Sequence, residues 1–325
     1  MYKTKLNKYK TQLAITRVEE LFKENLSNEL DVTLVKGPLF VETSTGFNDD
    51  LSGVESPLTF KYKDSELSIV QSLAKWKRFA LSEFEIPVGK GLFAEMNAVR
   101  PDENSLTPYH SLHVDQYDWE KHINTDHRTI DFLKEEVSKI WRAIYLTKNV
   151  IKNEYNELNE VLAENITFIS SKELLEKYPN LSPEEREYEF AKIHKTIFIY
   201  GIGHELEDGA PHGVRAPDYD DWEINGDLIV WHESRQKSLE LSSMGVRVDK
   251  ASLKSQMDKV GNTKYLAFHT SIEEDKIPLS IGGGIGKSRI NLFLLEKFHI
   301  GEVQTTYWTK EQLEKYESMG IELLR

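Results

Sequence analysis

The chain has 325 residues, and 54 acidic against 41 basic side chains give it a formal net charge of −13. An acidic chain repels a phosphate backbone, so extended nucleic-acid binding is disfavoured. The absence of cysteine excludes disulfides and thiolate zinc sites. No apolar run approaches the roughly 18 residues of a membrane span, and the N-terminus lacks the apolar stretch of a secretion signal. We therefore expect a cytoplasmic protein that binds neither nucleic acid nor membrane.

The first predicted elements are a helix and a broken strand. Apolar residues recur near helical spacing and predict an amphipathic helix over residues 4–27. The members of this stripe are Leu6, Tyr9, Leu13, Val18, Leu21, Phe22 and Leu26. A strand over residues 31–42 follows, and Gly37-Pro38 interrupts it.

The next part of the chain predicts a hairpin, a helix and two strands. The hairpin covers residues 58–71 and turns near Lys63-Asp64, and the helix runs from Leu73 to Phe84. Strands over residues 91–100 and 110–119 then enclose a loop that begins at Arg100. The loop is therefore held between two strands of the predicted sheet.

The remaining elements complete an α+β pattern. Helices are predicted over 128–152, from Ser182 to about 194, and from about 309, where Ser182-Pro-Glu-Glu185 is a capping box. Strands are predicted over 166–169, 196–200, 226–231 and 239–248. Helical crossovers between strands are few and nothing resembles a linker. We therefore expect a mainly antiparallel sheet flanked by helices, in a single domain over residues 1–325.

The most informative segment is the glycine-rich run from Ser280 to Ile290. Gly282, Gly284 and Gly286 alternate, which leaves one face of a strand without side chains. A flat ligand can lie directly on such a backbone. Arg289 opens the following apolar helix, where it would lie close to the phosphates of that ligand.

Two common nucleotide-binding motifs do not fit this run. A P-loop ending at Gly286-Lys287-Ser288 needs glycine at position 281, where Ile281 stands. The dinucleotide fingerprint fails as well, because Arg289 occupies its third glycine position. A glycine-rich turn before a helix remains an alternative interpretation of this segment alone.

The spacing Gly-x-Gly-x-Gly-x-x-Arg before an apolar helix resembles motif 3 of the class II aminoacyl-tRNA synthetases. Upstream, the strand that ends at Arg100 resembles motif 2, in which an arginine grips the α-phosphate of ATP. Motif 2 also carries an acid, which here would be Asp102 or Glu103 in an Arg-Pro-Asp-Glu turn.

Two further segments resemble the same class. The run from Glu240 to Val248 is similar to the metal-binding strand of aspartyl- and asparaginyl-type synthetases, with Arg247 seven residues after the glutamate and the glycine shifted to Gly245. The first helix and the strand containing Pro38 resemble motif 1, which forms the dimer interface of these enzymes.

Shorter runs narrow the resemblance to one family. They are Leu51-Ser-Gly53, Ser72-Leu-Ala-Lys-Trp-Lys-Arg78, Val114-Asp-Gln-Tyr-Asp-Trp119, Arg215-Ala-Pro-Asp-Tyr-Asp-Asp-Trp222 and Asn225-Gly-Asp227. Together they are similar to the ammonia-dependent asparagine synthetases, or aspartate–ammonia ligases. The resemblance implies a class II catalytic core that acts as a homodimer. It also implies that aspartate, ATP and ammonia are converted to asparagine, AMP and pyrophosphate through a β-aspartyl-adenylate.

The resemblance also assigns residues to ATP and its metal ion. Arg100 would bind the α-phosphate and Arg289 the adenine and the γ-phosphate. Glu103, as the acid of the motif 2 loop, is also assigned to the binding of ATP. Asp227 and Glu240 are hard oxygen donors on neighbouring strands, as Mg²⁺ prefers.

A second set would bind aspartate and ammonia. Lys77 would bind a substrate carboxylate and, with Arg100, Asp118 and Asp220, is assigned to catalysis. Asp49, Asp118 and Asp220 are candidates for the α-ammonium group and for the incoming ammonia, and the sequence leaves their roles open. The other implied residues of this set are Ser72, Gln116, Ser243 and Arg247.

Plainer alternatives exist for several of these residues and for the function. Lys77 could be a surface lysine of a helix, Glu240 a solvated strand carboxylate, and the acidic run 218–221 a solvated loop. The chain could also be a synthetase paralogue that hands its amino acid to tRNA or protein, or a non-catalytic amino-acid sensor on the same core. The presence of both Arg100 and Arg289 disfavours the sensor.

Overall fold

The computed structural model describes residues 2–49, 51, 56–101 and 106–325. The strands in this part of the chain are β1 Val32–Val35, β2 Phe40–Glu42, β3 Thr59–Tyr62, β4 Ser65–Ile69, β5 Gly91–Val99, β6 His113–His122, β7 Thr167–Ser170, β8 Thr196–Tyr200, β9 Asp220–His232, β10 Lys237–Arg247 and β11 Ser280–Gly286. The helices are α1 Lys8–Leu30, α2 Ala74–Glu83, α3 Ile130–Glu154, α4 Ser171–Lys177, α5 Pro183–His194, α6 Lys250–Lys259, α7 Ala267–Glu273, α8 Lys287–Leu294 and α9 Lys310–Ser318.

Eight strands form the main sheet in the order β1-β5-β6-β11-β10-β9-β8-β7. Only the outer pairs, β1 with β5 and β7 with β8, are parallel. The central strands pair antiparallel, and β2-β4-β3 forms a separate small sheet. The predicted α+β class with a mainly antiparallel sheet flanked by helices is therefore confirmed, whereas the small sheet was not predicted.

One face of the main sheet packs against α1 and α3. Side chains from β6, β10 and β11 alternate, so that Tyr117, Trp119, Met244, Ile281 and Ile285 join the main hydrophobic core with these helices. The opposite face of the same strands carries the glycines and the polar residues. The central antiparallel strands thus lie between the apolar core on one face of the sheet and the predicted site on the other.

The first helix begins later than predicted and buries only part of the predicted apolar stripe. Asn7 caps it by accepting a hydrogen bond from the backbone amide of Lys10, so the helix starts at Lys8 instead of residue 4. The buried positions are Thr11, Ala14, Val18, Phe22, Leu26 and Leu30. Of the predicted stripe, Val18, Phe22 and Leu26 are buried, whereas Tyr9 and Leu13 are 73% and 48% exposed, because at about 3.6 residues per turn they fall on nearly the opposite side of the helix.

Three helices escaped prediction from the sequence. These are α4 and α7, with seven residues each, and α6, with ten. Two turns of helix cannot display a convincing apolar period, and α6 buries only Leu253, Gln256 and Met257. Among the described residues, none of the helices is long and apolar enough to cross a membrane.

Candidate active site

The bare face of β11 forms the floor of a cleft. In the antiparallel register, Gly284 lies between Asp118 of β6 and Ser243 of β10. Gly282 lies between Glu120 and Gly245. Since the glycines carry no side chains, the polar side chains of β6 and β10 enclose a shallow trough along the strand.

The cleft has a volume of about 260 Å³. Eleven of the predicted site residues line it, namely Asp49, Ser72, Lys77, Arg100, Gln116, Asp118, Asp220, Glu240, Ser243, Arg247 and Arg289. Asp227 does not line the cleft, and Glu103 and Asp102 lie outside the described residues. Segments far apart in sequence are thus brought to one trough.

Lys77 is fully buried on the cleft side of α2. Its Nζ donates to Asp118 Oδ1 at 2.6 Å and to the carbonyl oxygen of Gly283 at 2.7 Å. Burial lowers the pKa of Lys77, while the charge of Asp118 opposes that shift. The alternative of an exposed helix lysine is therefore wrong.

The three candidate aspartates differ in what already binds them. Asp49 Oδ2 accepts from Ser72 Oγ at 2.7 Å, and burial raises the pKa of this carboxyl group. Asp220 forms an ion pair with Arg247. Asp118 Oδ2 is buried, and no described residue donates a hydrogen bond to it. Asp118 thus retains an acceptor that a ligand can use.

Arg247 joins side chains of two other strands across the floor of the cleft. Its Nε donates to Glu120 Oε1 at 3.0 Å and its Nη2 to Oε2 at 2.9 Å, while Nη1 pairs with Asp220. Burial opposes the charged state, but Glu120 and Asp220 together raise the pKa of Arg247. Ser280 Oγ also donates to Glu120 Oε1, at 2.6 Å. The guanidinium therefore ties β9, β10 and β6 together across β11.

Glu120 is a site residue that the sequence analysis missed. It is completely buried and lies on the same face of β6 as Gln116 and Asp118. The signal was the alternation of these three polar residues with Tyr117 and Trp119, which is typical of a strand with two unlike faces.

Glycine at 282 is required by this bridge. A Cβ there would overlap Glu120 Oε2 and lie 2.6 Å from the carbonyl oxygen of Trp119. At 284, a Cβ would lie 2.7 Å from Gln116 Oε1. The alternating glycines thus make room for side chains of β6 as well as for a ligand.

Arg289 lies in the first turn of α8, at one end of the trough. Its Nη1 donates to the carbonyl oxygen of Glu240 at 2.9 Å and lies 3.6 Å from Glu240 Oε2. Its Nη2 lies 3.1 Å from His110 Nε2, a cleft residue that was not predicted. A register shift between Glu240 and Ser242 accompanies the turning of Glu240 toward the cleft.

Arg100 follows the last residue of β5 and is half-buried. Its backbone amide donates to the carbonyl oxygen of Leu112 at 2.9 Å, which fixes the base of the side chain. The Nε atom is buried and has no hydrogen-bond partner among the described residues. A buried guanidinium donor of this kind is suited to an anionic ligand.

Asp227 lies on β9, next to β10, and forms an ion pair with Arg215. Burial raises the pKa of Asp227 to about 6, and the charge of Glu240 contributes to this shift against the opposing effect of Arg215. Within the described residues there is no group of three His, Cys, Asp or Glu side chains that could hold a metal ion. A divalent ion between Asp227 and Glu240 would therefore need further oxygen ligands from a substrate.

Solved structures with this fold are class II aminoacyl-tRNA synthetases. Asparaginyl-tRNA synthetase of Entamoeba histolytica, in complex with asparaginyl-adenylate, aligns with a TM-score of 0.67 at 13% identity, over 91% of this chain and 66% of that chain. The enzyme of Pyrococcus horikoshii, also complexed with asparaginyl-adenylate, gives 0.65 at 17%, over 90% and 68%. This chain spans about two thirds of the length of these synthetases, and the fold is that of the class II enzymes.

Sequence relatives identify the family. The family profile of aspartate–ammonia ligase matches residues 9–320. Aspartate–ammonia ligase of Malacoplasma penetrans is 50% identical over 97% of this chain and 98% of its own length. That of Lactobacillus acidophilus is 46% identical, over 97% and 95%. The chain belongs to the aspartate–ammonia ligase family.

We predict that Gly282→Ala damages both stability and ligand binding. The added methyl group displaces Glu120 from Arg247, and overpacking of this kind costs on the order of 1–3 kcal/mol. Urea unfolding measures the loss of stability, and calorimetric titration with ATP measures binding. Gly213→Ala is the control, because its Cβ would meet only Ile202 Cγ2, at 3.3 Å. If Gly282→Ala unfolds at the urea concentration of the wild type, the bridge does not require a bare strand.

Proposed function

We propose that the protein is an aspartate–ammonia ligase that makes asparagine through a β-aspartyl-adenylate and releases AMP and pyrophosphate. Family membership supports aspartate, ATP and ammonia as the substrates. The observation that carries the mechanism is the trough on β11, with Arg100 and Arg289 for phosphates and with Lys77 and Asp118 buried beside the glycines.

In the first step, a β-carboxylate oxygen of aspartate attacks the α-phosphorus of ATP and pyrophosphate leaves. Negative charge develops on the phosphorus centre and on the leaving group. Arg100 and Arg289 are permanently charged, and both line the trough, so they can neutralise this charge once Arg289 exchanges its contacts with Glu240 and His110 for the phosphates. Adenylation is needed because hydroxide is a poor leaving group from a carboxylate.

Asp227 and Glu240 fit a Mg²⁺ ion that comes with ATP. They lie on neighbouring strands, and the charge of Glu240 contributes to raising the pKa of Asp227, so a divalent cation would relieve their repulsion. The ion would supply Lewis-acid polarisation of the phosphates. Arg215 already holds one carboxylate of the pair and would have to share Asp227 with the metal ion.

In the second step, ammonia attacks the β-carbonyl carbon of the adenylate, AMP leaves, and the nitrogen loses a proton. A nearby carboxylate can attract ammonium and accept that proton. Asp118 Oδ2 suits an N–H donor of ammonia or of the α-ammonium group, because no described residue occupies it. Asp49 and Asp220 would complete the pocket, with Ser72, Gln116 and Ser243 as neutral partners.

The test of this function compares nitrogen donors. Amidotransferases split glutamine with a cysteine nucleophile, and this chain contains no cysteine. Purified protein with ATP, Mg²⁺ and aspartate should make asparagine from ammonium chloride but not from ammonia-free glutamine. The rate at fixed total ammonium should rise toward alkaline pH, because only NH₃ has the attacking lone pair. Equal rates with both donors would overturn the proposal.

Removal of either phosphate-binding arginine should abolish adenylation while the fold persists. For Arg100→Ala and Arg289→Ala we expect a loss of about 100-fold in aspartate-dependent ATP–pyrophosphate exchange, as for one preorganised charge contact. Arg142→Ala is the control, because Arg142 is exposed and pairs only at the surface with Glu29. Near-normal exchange in either cleft variant, with an unchanged circular dichroism spectrum, would contradict the assigned roles.

Magnesium dependence should involve Glu240. Glu240→Gln removes one hard oxygen charge, so we expect Mg²⁺ to bind the protein–ATP complex at least about tenfold more weakly, by analogy with lost metal-site groups. The dependence of aspartate-dependent ATP–pyrophosphate exchange on the free Mg²⁺ concentration, at a fixed ATP concentration, measures this change. Glu233→Gln, at the turn after β9, serves as the matched control, since Glu233 pairs with Lys195 at the surface. Identical titrations for wild type and Glu240→Gln would exclude Glu240 as a ligand.

We also infer a homodimer through α1 and the strand that approaches Pro38. Tyr9 and Leu13 on α1, and Leu34 and Leu39 on either side of Pro38, expose apolar side chains, and exposed apolar surface is typical of an interface. Light scattering should give twice the mass of one chain, and the double substitution Tyr9→Glu/Leu13→Glu should shift the protein toward the monomer. A fully active wild-type monomer would contradict this inference.

A further inference from the structure

A buried ion pair lies directly behind the cleft. Lys75, in the first turn of α2, is only 1% exposed, and its Nζ lies 2.6 Å from Asp218 Oδ2. Asp218 is also buried and precedes β9 by two residues. Neither residue lines the cleft. The pair is therefore not part of the ligand-contacting surface described above.

His269 of α7 contacts the same carboxylate oxygen of Asp218. The backbone amide of Leu266 donates to His269 Nδ1 at 2.8 Å, so the ring proton resides on Nε2, which donates to Asp218 Oδ2 at 2.9 Å. Burial would raise the pKa of Asp218, but Lys75 and His269 lower it to about 2. Asp218 is thus held as a carboxylate between two separate helices.

The same group of residues adjoins both loops that carry candidate substrate-binding aspartates. On one side, Tyr219 and Asp220 follow Asp218 directly and line the cleft. On the other side, burial raises the pKa of Asp49 and the charge of Lys75 opposes that shift, while Asp49 accepts from Ser72 just before α2.

Helix α7 completes the connection to the Asp49 loop. Gly46 has a left-handed φ of +70°, and its Cβ would lie 2.7 Å from Leu266 Cβ. The loop leading to Asp49 thus packs directly on the residue that caps α7. A shift of Asp218 would therefore be passed to both walls of the cleft.

We infer that Lys75, with Asp218 and His269, forms a set of positioning residues that fixes the spacing between Asp49 and Asp220, and so sets the affinity for aspartate. This inference rests on the proposed function in that it takes the Asp49–Asp220 end of the trough as the aspartate end. Stability alone does not account for the pair, since replacing a buried ion pair with apolar residues is often neutral or stabilising. An ion pair with hydrogen bonds has a defined geometry and can hold two loops at a fixed spacing, whereas an apolar contact is not directional.

The test is a set of steady-state measurements on Lys75→Met, Asp218→Asn and the double variant. We expect KM for aspartate to rise about tenfold or more while KM for ATP changes less than about twofold, because a small misplacement of binding groups has effects of this order. The double variant removes both charges, so it should recover the thermal stability of the wild type but keep the raised KM for aspartate. This variant keeps the test valid if Lys75→Met alone does not fold.

Lys148→Met is the matched control. Lys148 is equally buried, pairs with Glu296 at 2.8 Å, and lies away from the cleft lining. It should lose thermal stability without a change in KM for aspartate. An unchanged KM for aspartate in folded Asp218→Asn, or equal rises in both KM values, would overturn the inference. Failure of the wild type itself to make asparagine would instead refute the proposed function.

Discussion

The structure of the site depends on one buried ion pair, between Arg247 of β10 and Glu120 of β6. These strands are not neighbours, because β11 lies between them. The guanidinium can reach across only where the intervening strand carries no side chain, which is the position of Gly282. The bare strand is thus a consequence of the bridge as much as of the ligand. The same arrangement holds Asp220 at the start of β9 against the cleft.

The cleft concentrates charge, and the chain neutralises most of it internally. Lys77 pairs with Asp118, and Arg247 pairs with Glu120 and Asp220. Such pairing is needed because an isolated buried charge is costly. The polar atoms that remain unpaired among the described cleft residues include Asp118 Oδ2 and Arg100 Nε. A ligand with an ammonium group near one and a phosphate near the other would complete the network with little reorganisation.

Much of the fold and part of the site could be predicted from the sequence, for local reasons. Alternating glycines and the capping box at Ser182 act within a few residues, and both lie in elements of the predicted type. The interruption at Gly37-Pro38 also lies where predicted, although it separates strands of two different sheets. Eleven predicted residues line one cleft. They could be predicted because their motifs occur along the chain in the same order as in the family that the sequence resembles.

Other features depend on long-range contacts that periodicity does not reveal. Lys77 resembled a surface lysine because only the position of α2 over β6 and β11 buries it. Tyr9 and Leu13 belong to the predicted apolar stripe of α1, but only its members on the opposite side of the helix, Val18, Phe22 and Leu26, are buried in the core. The set of Lys75, Asp218 and His269 joins three segments that are distant in the sequence. Asp218 lies in a loop and His269 in the short helix α7, and neither segment shows a clear apolar period.

The bare face of β11 is the surface on which we expect the adenylate to form. A crystal structure with a non-hydrolysable analogue of β-aspartyl-adenylate would show this. We expect the sugar and phosphate to lie over Gly282 and Gly284, the phosphate beside Arg100, and the aspartyl group against Lys77 and Asp118. The Arg247–Glu120 bridge should stay intact beneath the analogue. An analogue bound away from β11, or a bridge broken on binding, would show that β11 does not have this role.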